Sequence, residues 1–298
     1  MNALKRNNVV ITGAGKRPMV FAHGFGCDQQ MWRFVAPAFA NNHSLVLFDH
    51  VGCGKSDLAA YDDIRHATLE GYATDMAEIF EQADLQDVVI VGHSVGAIIG
   101  LLAANRSRQR VTSLVLVSPS PRYLNDPPDY CGGFEREDIE GLIDMMESNM
   151  LGWTNFLAPA VVGAQALVKP AQQMTQERTQ ERTQERTQEP TQALTQLPTQ
   201  ELTQELKDSF CASDPYITRR FALATFMADN RADLAHVTVP SLIVQCSDDA
   251  IAPRSVGEYM HRQLRGSRLR VIEASGHCPH MTHPVQTAAL IQEHLAQA

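Results

Sequence analysis

The chain reads as an α/β protein: a mostly parallel, doubly wound sheet interrupted by one helical insertion. Short apolar runs alternate with amphipathic stretches up to residue 122 and again from 237, the arrangement that joins parallel strands through helices. Residues 123–236, between these halves, show helical spacing alone. The composition agrees. Its 298 residues, 44% hydrophobic and 20% charged, suit a large buried core and not a disordered chain.

Residues 19–22 form the first expected strand, ending at His23-Gly24, and 45–48 the second, ending at Asp49. Tyr72, Met76, Ile79 and Phe80 recur at helical spacing, so 70–83 is expected to be an amphipathic helix. Residues 88–91 make a third strand closed by Gly92, 97–104 a buried helix, and 114–117 a fourth strand. Within the insertion, 135–150 carries Ile139, Leu142, Ile143 and Met146 on one face. The stretch 153–168 is apolar nearly all round, and 215–229 carries Ile217, Phe221, Ala224 and Phe226. The strand pattern then returns at 242–245 and 269–272, and a helix over 285–295 closes the chain. A helical segment between two halves of one sheet is most simply a lid. The division is therefore a core over 1–122 and 237–298, with a lid over 123–236.

The insertion contains an oddity. From 175 to 206 the chain repeats a four-residue unit beginning Thr-Gln: three times as TQER, then as TQEP, TQAL, TQLP and twice as TQEL. A four-residue period drifts against the 3.6-residue turn, and Pro190 and Pro198 interrupt a helix. The segment is expected to be a polar, solvated low-complexity loop with partly helical pieces, whose removal leaves folding intact because loop closure depends only weakly on length.

Lysine and arginine total 25 against 34 aspartate and glutamate, a formal charge of −9. An acidic surface repels phosphate backbones and anionic membranes, so neither nucleic acid nor a membrane is an expected partner. No apolar run approaches the roughly 20 residues that span a bilayer, and residues 1–8 lack a signal-peptide core. A cytoplasmic location follows as the expectation. Six cysteines (27, 53, 131, 211, 246 and 278) show no CxxC pairing and read as reduced packing residues.

The strongest chemical signal is Gly92-His93-Ser94-Val95-Gly96, a G-x-S-x-G directly after a strand and directly before a helix. A serine nucleophile on so sharp a turn needs almost no side chain two residues before and two after it. Only then can the backbone pinch and the hydroxyl stand clear. At average usage of about 7% each for Gly and Ser, chance supplies this pattern about 0.1 times per 300 residues. The hydroxyl also needs a base, and the base a carboxylate to orient it. His277 follows the 269–272 strand in Ser275-Gly276-His277, and Asp249 follows the 242–245 strand. Asp248 is the rival carboxylate. Asp249 is preferred because Asp249-Ala-Ile-Ala-Pro253 begins the loop toward the next helix. Two backbone amides should hold the oxyanion: that of Val95, after the nucleophile, and that of Phe25, in the glycine-flanked loop His23-Gly24-Phe25-Gly26.

Other patterns are set aside. Gly52-Cys53-Gly54-Lys55-Ser56 resembles the end of a phosphate loop, but the pattern requires glycine where Asp49 stands, so a tight turn is expected. His277, His280 and His283 invite a metal, yet Pro279 and Pro284 break the helix that would align them. Cys27, Cys246 and Cys278 lie near the proposed site without an activating context. No metal and no cofactor is expected.

With these residues in place, the chain resembles the α/β-hydrolase superfamily. It is similar in particular to the group containing the bacterial stress-signalling protein RsbQ and the plant karrikin and strigolactone receptors. The likeness rests on HGFGCDQ at 23–29, LFDHVGCGKSDL at 47–58, VGHSVGA at 91–97, SPSPRYLNDPPDYCGGFE at 118–135, VQCSDDAIAP at 244–253 and GHCPHMTHP at 276–284. It implies an α/β-hydrolase fold with a four-helix lid, a Ser94–His277–Asp249 triad, and an oxyanion hole from Phe25 and Val95. A small apolar pocket is implied too, with Phe25, Val95, Tyr123, Phe134, Trp153, Phe156 and Phe226 as walls. The implied activity is slow hydrolysis of butenolide or other small hydrophobic esters, coupled to signalling, with a PAS-domain protein phosphatase as the partner the group suggests. The repeat at 175–206 departs from that group, in which the connection between lid helices is much shorter.

Overall fold

The computed structural model describes residues 2–164 and 199–297. Val10–Thr12 (β1), Arg17–Ala22 (β2), His43–Leu47 (β3), Val88–His93 (β4), Val111–Val117 (β5), Ser241–Asp248 (β6) and Ser267–Ser275 (β7) form one sheet. Its order is β1-β3-β2-β4-β5-β6-β7. β1 is antiparallel to β3 and every other pairing is parallel. After a short opening helix, Ala3–Arg6 (α1), the connections carry Leu69–Gln82 (α2) and Val95–Arg106 (α3).

The apolar runs become strands because both faces of the sheet are covered. Along β4, Val88 and Ile90 enter one core layer and Val89 and Val91 the other. Leu114 and Leu116 of β5 alternate with Val115 and Val117 in the same way. A period of two with no exposed face is what a buried parallel sheet requires. Tyr72, Met76, Ile79 and Phe80 of α2 are fully buried on one face, as their spacing implies.

The insertion supplies Arg136–Ser148 (α4), Met150–Val161 (α5), Thr199–Ala212 (α6) and Pro215–Phe226 (α7). Glu135 and Asp138 form a capping box that starts α4. Asn149 ends it and opens α5, its side chain accepting from Gly152 N at 2.9 Å. Asp214 and Pro215 do the same for α7, the aspartate accepting from Ile217 N at 3.0 Å. Ile139, Ile143 and Met146 of α4, Trp153 of α5 and Phe210 of α6 join the core layer that contains Val89 and Val91. The chain then continues through Arg254–Gln263 (α8), Pro279–Thr282 (α9) and Pro284–Leu295 (α10).

Three expectations change. The insertion is not wholly helical: 123–134 is a loop closed by bridges Leu124–Phe134 and Asp126–Tyr130, because Gly and Pro there favour turns over helix. All three residues of β1 are exposed, so burial periodicity could not reveal it; pairing with β3 makes it a strand. The low-complexity segment 175–206 was expected to be a solvated loop with partly helical pieces. Residues 175–198 lie outside the described residues, and 199–206 opens α6 with Leu202 and Leu206 each 2% exposed. Four residues advance a helix by roughly 400°, so two adjoining repeats are offset by only about 40° and share a face. Drift defeats long arrays, not two units.

Parallel pairing also aligns the strand ends. His93 lies beside Val117, Val117 beside Val244, and Asp248 beside Ser275. The residues that follow β4, β6 and β7 therefore gather at one edge, where open α/β sheets bind ligands.

Candidate active site

Ser94 sits between β4 and α3 with φ 55° and ψ −123°, a sparsely populated conformation for a residue with a side chain. Its N–H donates to Val117 O at 2.9 Å, and its carbonyl accepts from Ala97 N at 3.0 Å. The flanking glycines are obligatory. A Cβ on Gly92 would stand 2.5 Å from Ala97 Cα, and one on Gly96 2.3 Å from His23 O.

His277 Nε2 lies 2.8 Å from Ser94 Oγ, and His277 Nδ1 lies 2.8 Å from Asp249 Oδ2. The other carboxylate oxygen accepts from Ile251 N at 2.9 Å and Ala252 N at 3.0 Å, which fixes the direction of the pair. His277 is held by its own backbone, its N–H donating to Val161 O at 2.7 Å. All three side chains are buried. An Nδ1 hydrogen donated to Asp249 leaves the Nε2 lone pair toward the hydroxyl, so the arrangement can take a proton from Ser94. Asp248 instead is exposed at the end of β6 and accepts from Ser275 Oγ at 2.8 Å.

A cavity of about 60 Å³ borders Ser94 and His277, room for a few waters or one small molecule. Phe25, Phe134, Trp153 and Phe226, among the walls the resemblance implies, line it. Val95, Tyr123 and Phe156 are not among its lining residues. Val95 packs into the opposite core layer, Phe156 is half-buried on α5, and Tyr123 puts its hydroxyl 3.2 Å from Ser94 Oγ. Burial raises the Tyr123 phenol above its usual range, so it stays protonated. The walls passed over were Leu142, Ile143 and Met146 of α4, Leu157 of α5 and Phe210 of α6. The apolar face of α4 was visible in its spacing. What that face met was not.

Phe25 follows β2, and its ring meets Phe226 edge-on at 5.4 Å. Val95 is the first residue of α3, where an amide is unpaired within the helix. Asp49 closes the expected tight turn, its carboxylate accepting from Gln29 N and Lys55 N at 2.9 Å each. Burial raises the thiols of Cys27 and Cys278 and pushes Cys246 up to about 12, which leaves them inert as nucleophiles. The spaced histidines that were set aside as metal ligands have other contacts. Both nitrogens of His277 are taken, and His283 Nδ1 faces Thr282 Oγ1 at 2.9 Å.

The sheet order, the serine on a strained strand-to-helix turn and the helices packed over that edge define a class, the α/β hydrolases. The chain belongs to the alpha/beta hydrolase family, whose model matches residues 19–290. A karrikin insensitive 2 receptor from Petunia hybrida is 34% identical, covering 97% of this chain and 95% of its own length. A probable esterase from Oryza sativa subsp. japonica is 35% identical, with the same coverage of 97% and 95%. The solved structure of a hydrolase from Oleispira antarctica matches with TM-score 0.84 at 40% identity, covering 99% of this chain and 96% of the other. Among the described residues, no helix is long and apolar enough to cross a membrane.

Proposed function

We propose that the protein hydrolyses small hydrophobic esters or lactones through a covalent acyl-serine. His277 takes the Ser94 proton, and Oγ attacks the substrate carbonyl carbon. The amides of Phe25 and Val95 hold the oxyanion, and Asp249 keeps His277 oriented and stabilises its charged form. The leaving alcohol takes the proton from His277; water, deprotonated by the same imidazole, then releases the acid. In this reading residues 1–122 and 237–298 form the catalytic core and 123–236 the lid. The single observation that carries it is the 2.8 Å contact between Ser94 Oγ and His277 Nε2 beside a cavity walled by aromatic and aliphatic side chains.

The test is turnover of p-nitrophenyl acetate and of a fluorogenic butenolide ester. Ser94→Ala is expected to lose about 10³-fold or more in rate. Unchanged turnover in that variant would remove the serine mechanism.

A second reading, favoured by the likeness to the Petunia hybrida receptor, is a small-ligand receptor in which slow hydrolysis moves the lid for a protein partner. The RsbQ-like resemblance makes that partner a PAS-domain phosphatase, and the six free cysteines fit a cytoplasmic setting. Purified PAS-domain phosphatase should then be retained by the immobilised protein only with butenolide present. If neither ligand nor Ser94→Ala alters retention, the receptor reading fails.

A further inference from the structure

One polar cluster beside this site is left over by the hydrolytic reading. His93, within the serine turn, and Cys278 and His280, just after His277, are 3%, 1% and 0% exposed. One ligand atom from each lies within 4.8 Å of the other two. Neither ring nitrogen of His280 has a hydrogen-bond partner, and His93 Nδ1 has none. Buried polar atoms are nearly always satisfied, and a neutral imidazole carries one donor and one acceptor, so the His280 nitrogens call for an explanation. Ring packing explains their orientation: His280 stands between Trp32 and His93, with centroids at 4.6 and 4.3 Å. It does not satisfy their lone pairs.

Two histidine nitrogens and a cysteine sulfur are the donor set of a soft or borderline d10 cation. Zinc bonds of about 2.3 Å to sulfur and 2.0 Å to nitrogen put tetrahedral sulfur and nitrogen ligands about 3.5 Å apart. Cys278 Sγ already lies 3.7 Å from His93 Nε2. We propose that His93, Cys278 and His280 form an inhibitory site for a thiophilic d10 cation such as Zn2+, and that occupying it disables Ser94 and His277.

The coordination balances without a further reactant. The Cys278 thiol releases one proton to solvent and its sulfur binds the metal as thiolate. The hydrogen on His93 moves from Nε2 to the vacant Nδ1, and one lone pair of each imidazole completes the set. Inhibition follows from what His93 does in the empty site. Its Nε2–H donates to the His277 carbonyl at 2.9 Å, tying the backbone of the proposed base to the serine turn. Coordination breaks that bond. Ligand separations of about 3.5 Å also require the donor atoms, now within 4.8 Å of one another, to draw together, which moves the segment directly after His277. A misplacement of about 1 Å at the reacting groups lowers rate by about 10²-fold.

This rests on the hydrolytic reading only for its activity arm. Purified protein is dialysed against buffered Zn2+ and its metal content measured, and Co2+ is titrated to follow the thiolate-to-cobalt charge-transfer absorption. Wild type and Ser94→Ala should each hold about one equivalent and show the band. Cys278→Ser and His280→Gln, checked for folding by circular dichroism, should bind at least about 10-fold more weakly without the band; His283→Gln should match wild type. With p-nitrophenyl acetate, each protein is compared with its own metal-free rate. Wild type and His283→Gln should lose at least about 10-fold, and the two site variants should be largely insensitive. No binding by wild type, or binding unchanged in Cys278→Ser, overturns the site. A metal that binds but leaves wild-type turnover intact overturns the inhibition. An inactive metal-free wild type would instead count against the hydrolytic reading.

Discussion

The phenol oxygen of Tyr123 lies 3.2 Å from Ser94 Oγ, so the hydroxyl that meets His277 at 2.8 Å has a second polar neighbour. Tyr123 belongs to the loop after β5, and its ring packs against Phe226 at 5.0 Å. Held protonated by burial, it donates to Oγ while Ser94 donates to His277. The serine is thereby oriented from two directions before any substrate arrives.

Tyr123→Phe keeps the ring and removes only that donor. A neutral hydrogen bond is worth about 0.5–1.5 kcal/mol, so kcat is expected to fall by about 2- to 10-fold with little change in KM. Steady-state kinetics on p-nitrophenyl acetate check it; a KM-only effect would show that the Tyr123 hydroxyl does not act on the serine in the chemical step.

Asp249→Asn tests the carboxylate with little change in shape. The amide oxygen can still accept from Ile251 N and Ala252 N, but the NH2 group then faces His277 Nδ1 and selects the wrong tautomer. In the serine-protease template the same change lowers kcat by about 10⁴-fold. A comparable loss with an unchanged melting temperature is expected here, and Asp248→Asn should retain most activity because that carboxylate faces Ser275.

Gly96→Ala should be far more damaging than its size suggests. The new methyl would meet His23 O at 2.3 Å and Ala22 O at 2.6 Å, both backbone atoms that cannot swing aside. Overpacking of this kind destabilises by about 1–3 kcal/mol or more, measured by denaturant melts. Gly266→Ala is the contrast: its φ of 72° is strained for alanine but nothing lies within 4 Å, so a loss of about 1 kcal/mol is expected.

The end of the Thr-Gln array bears on stability as well. Leu206→Ala empties a buried position on α6 and is expected to remove about 2–5 kcal/mol. A deletion of 175–206 takes Leu202 and Leu206 with it, whereas one of 175–198 spares both. The first protein should melt clearly below the second, and equal melting temperatures would contradict the packing of α6.

His294 gives stability a pH dependence. Burial, with Arg268 and Arg17 nearby, lowers its pKa from 6.5 to about 4, and its Nε2 faces Ser113 Oγ at 2.9 Å. The unfolded chain takes up the proton near pH 6.5 and the native protein only near 4. Stability is therefore undiminished above pH 6.5 and falls as the pH drops toward 4. His294→Gln, which can keep a polar contact with Ser113, should flatten thermal melts across that window. A pH profile that stays parallel to wild type would exclude the effect.

The sheet was legible because its strands announce themselves locally. Unbroken apolar runs at 88–91 and 114–117 have no exposed face to leave, and the glycines at 92 and 96 mark a backbone too tight for a side chain. Ser94, His277 and Asp249 were legible for a related reason: each follows a strand, and parallel strands bring their ends to one edge. The choice between Asp248 and Asp249 was not closed by local pattern. It depends on the two amides of the following turn, which hold one carboxylate inward. Contacts made across elements lay further out of reach. Tyr123 on Ser94, the α4 face over the cavity, and His93 beside Cys278 and His280 join residues 29 to 187 positions apart in the chain. Periodicity reports which side of a helix is apolar; only packing decides what that side covers, since burial is non-directional and many partners satisfy it equally.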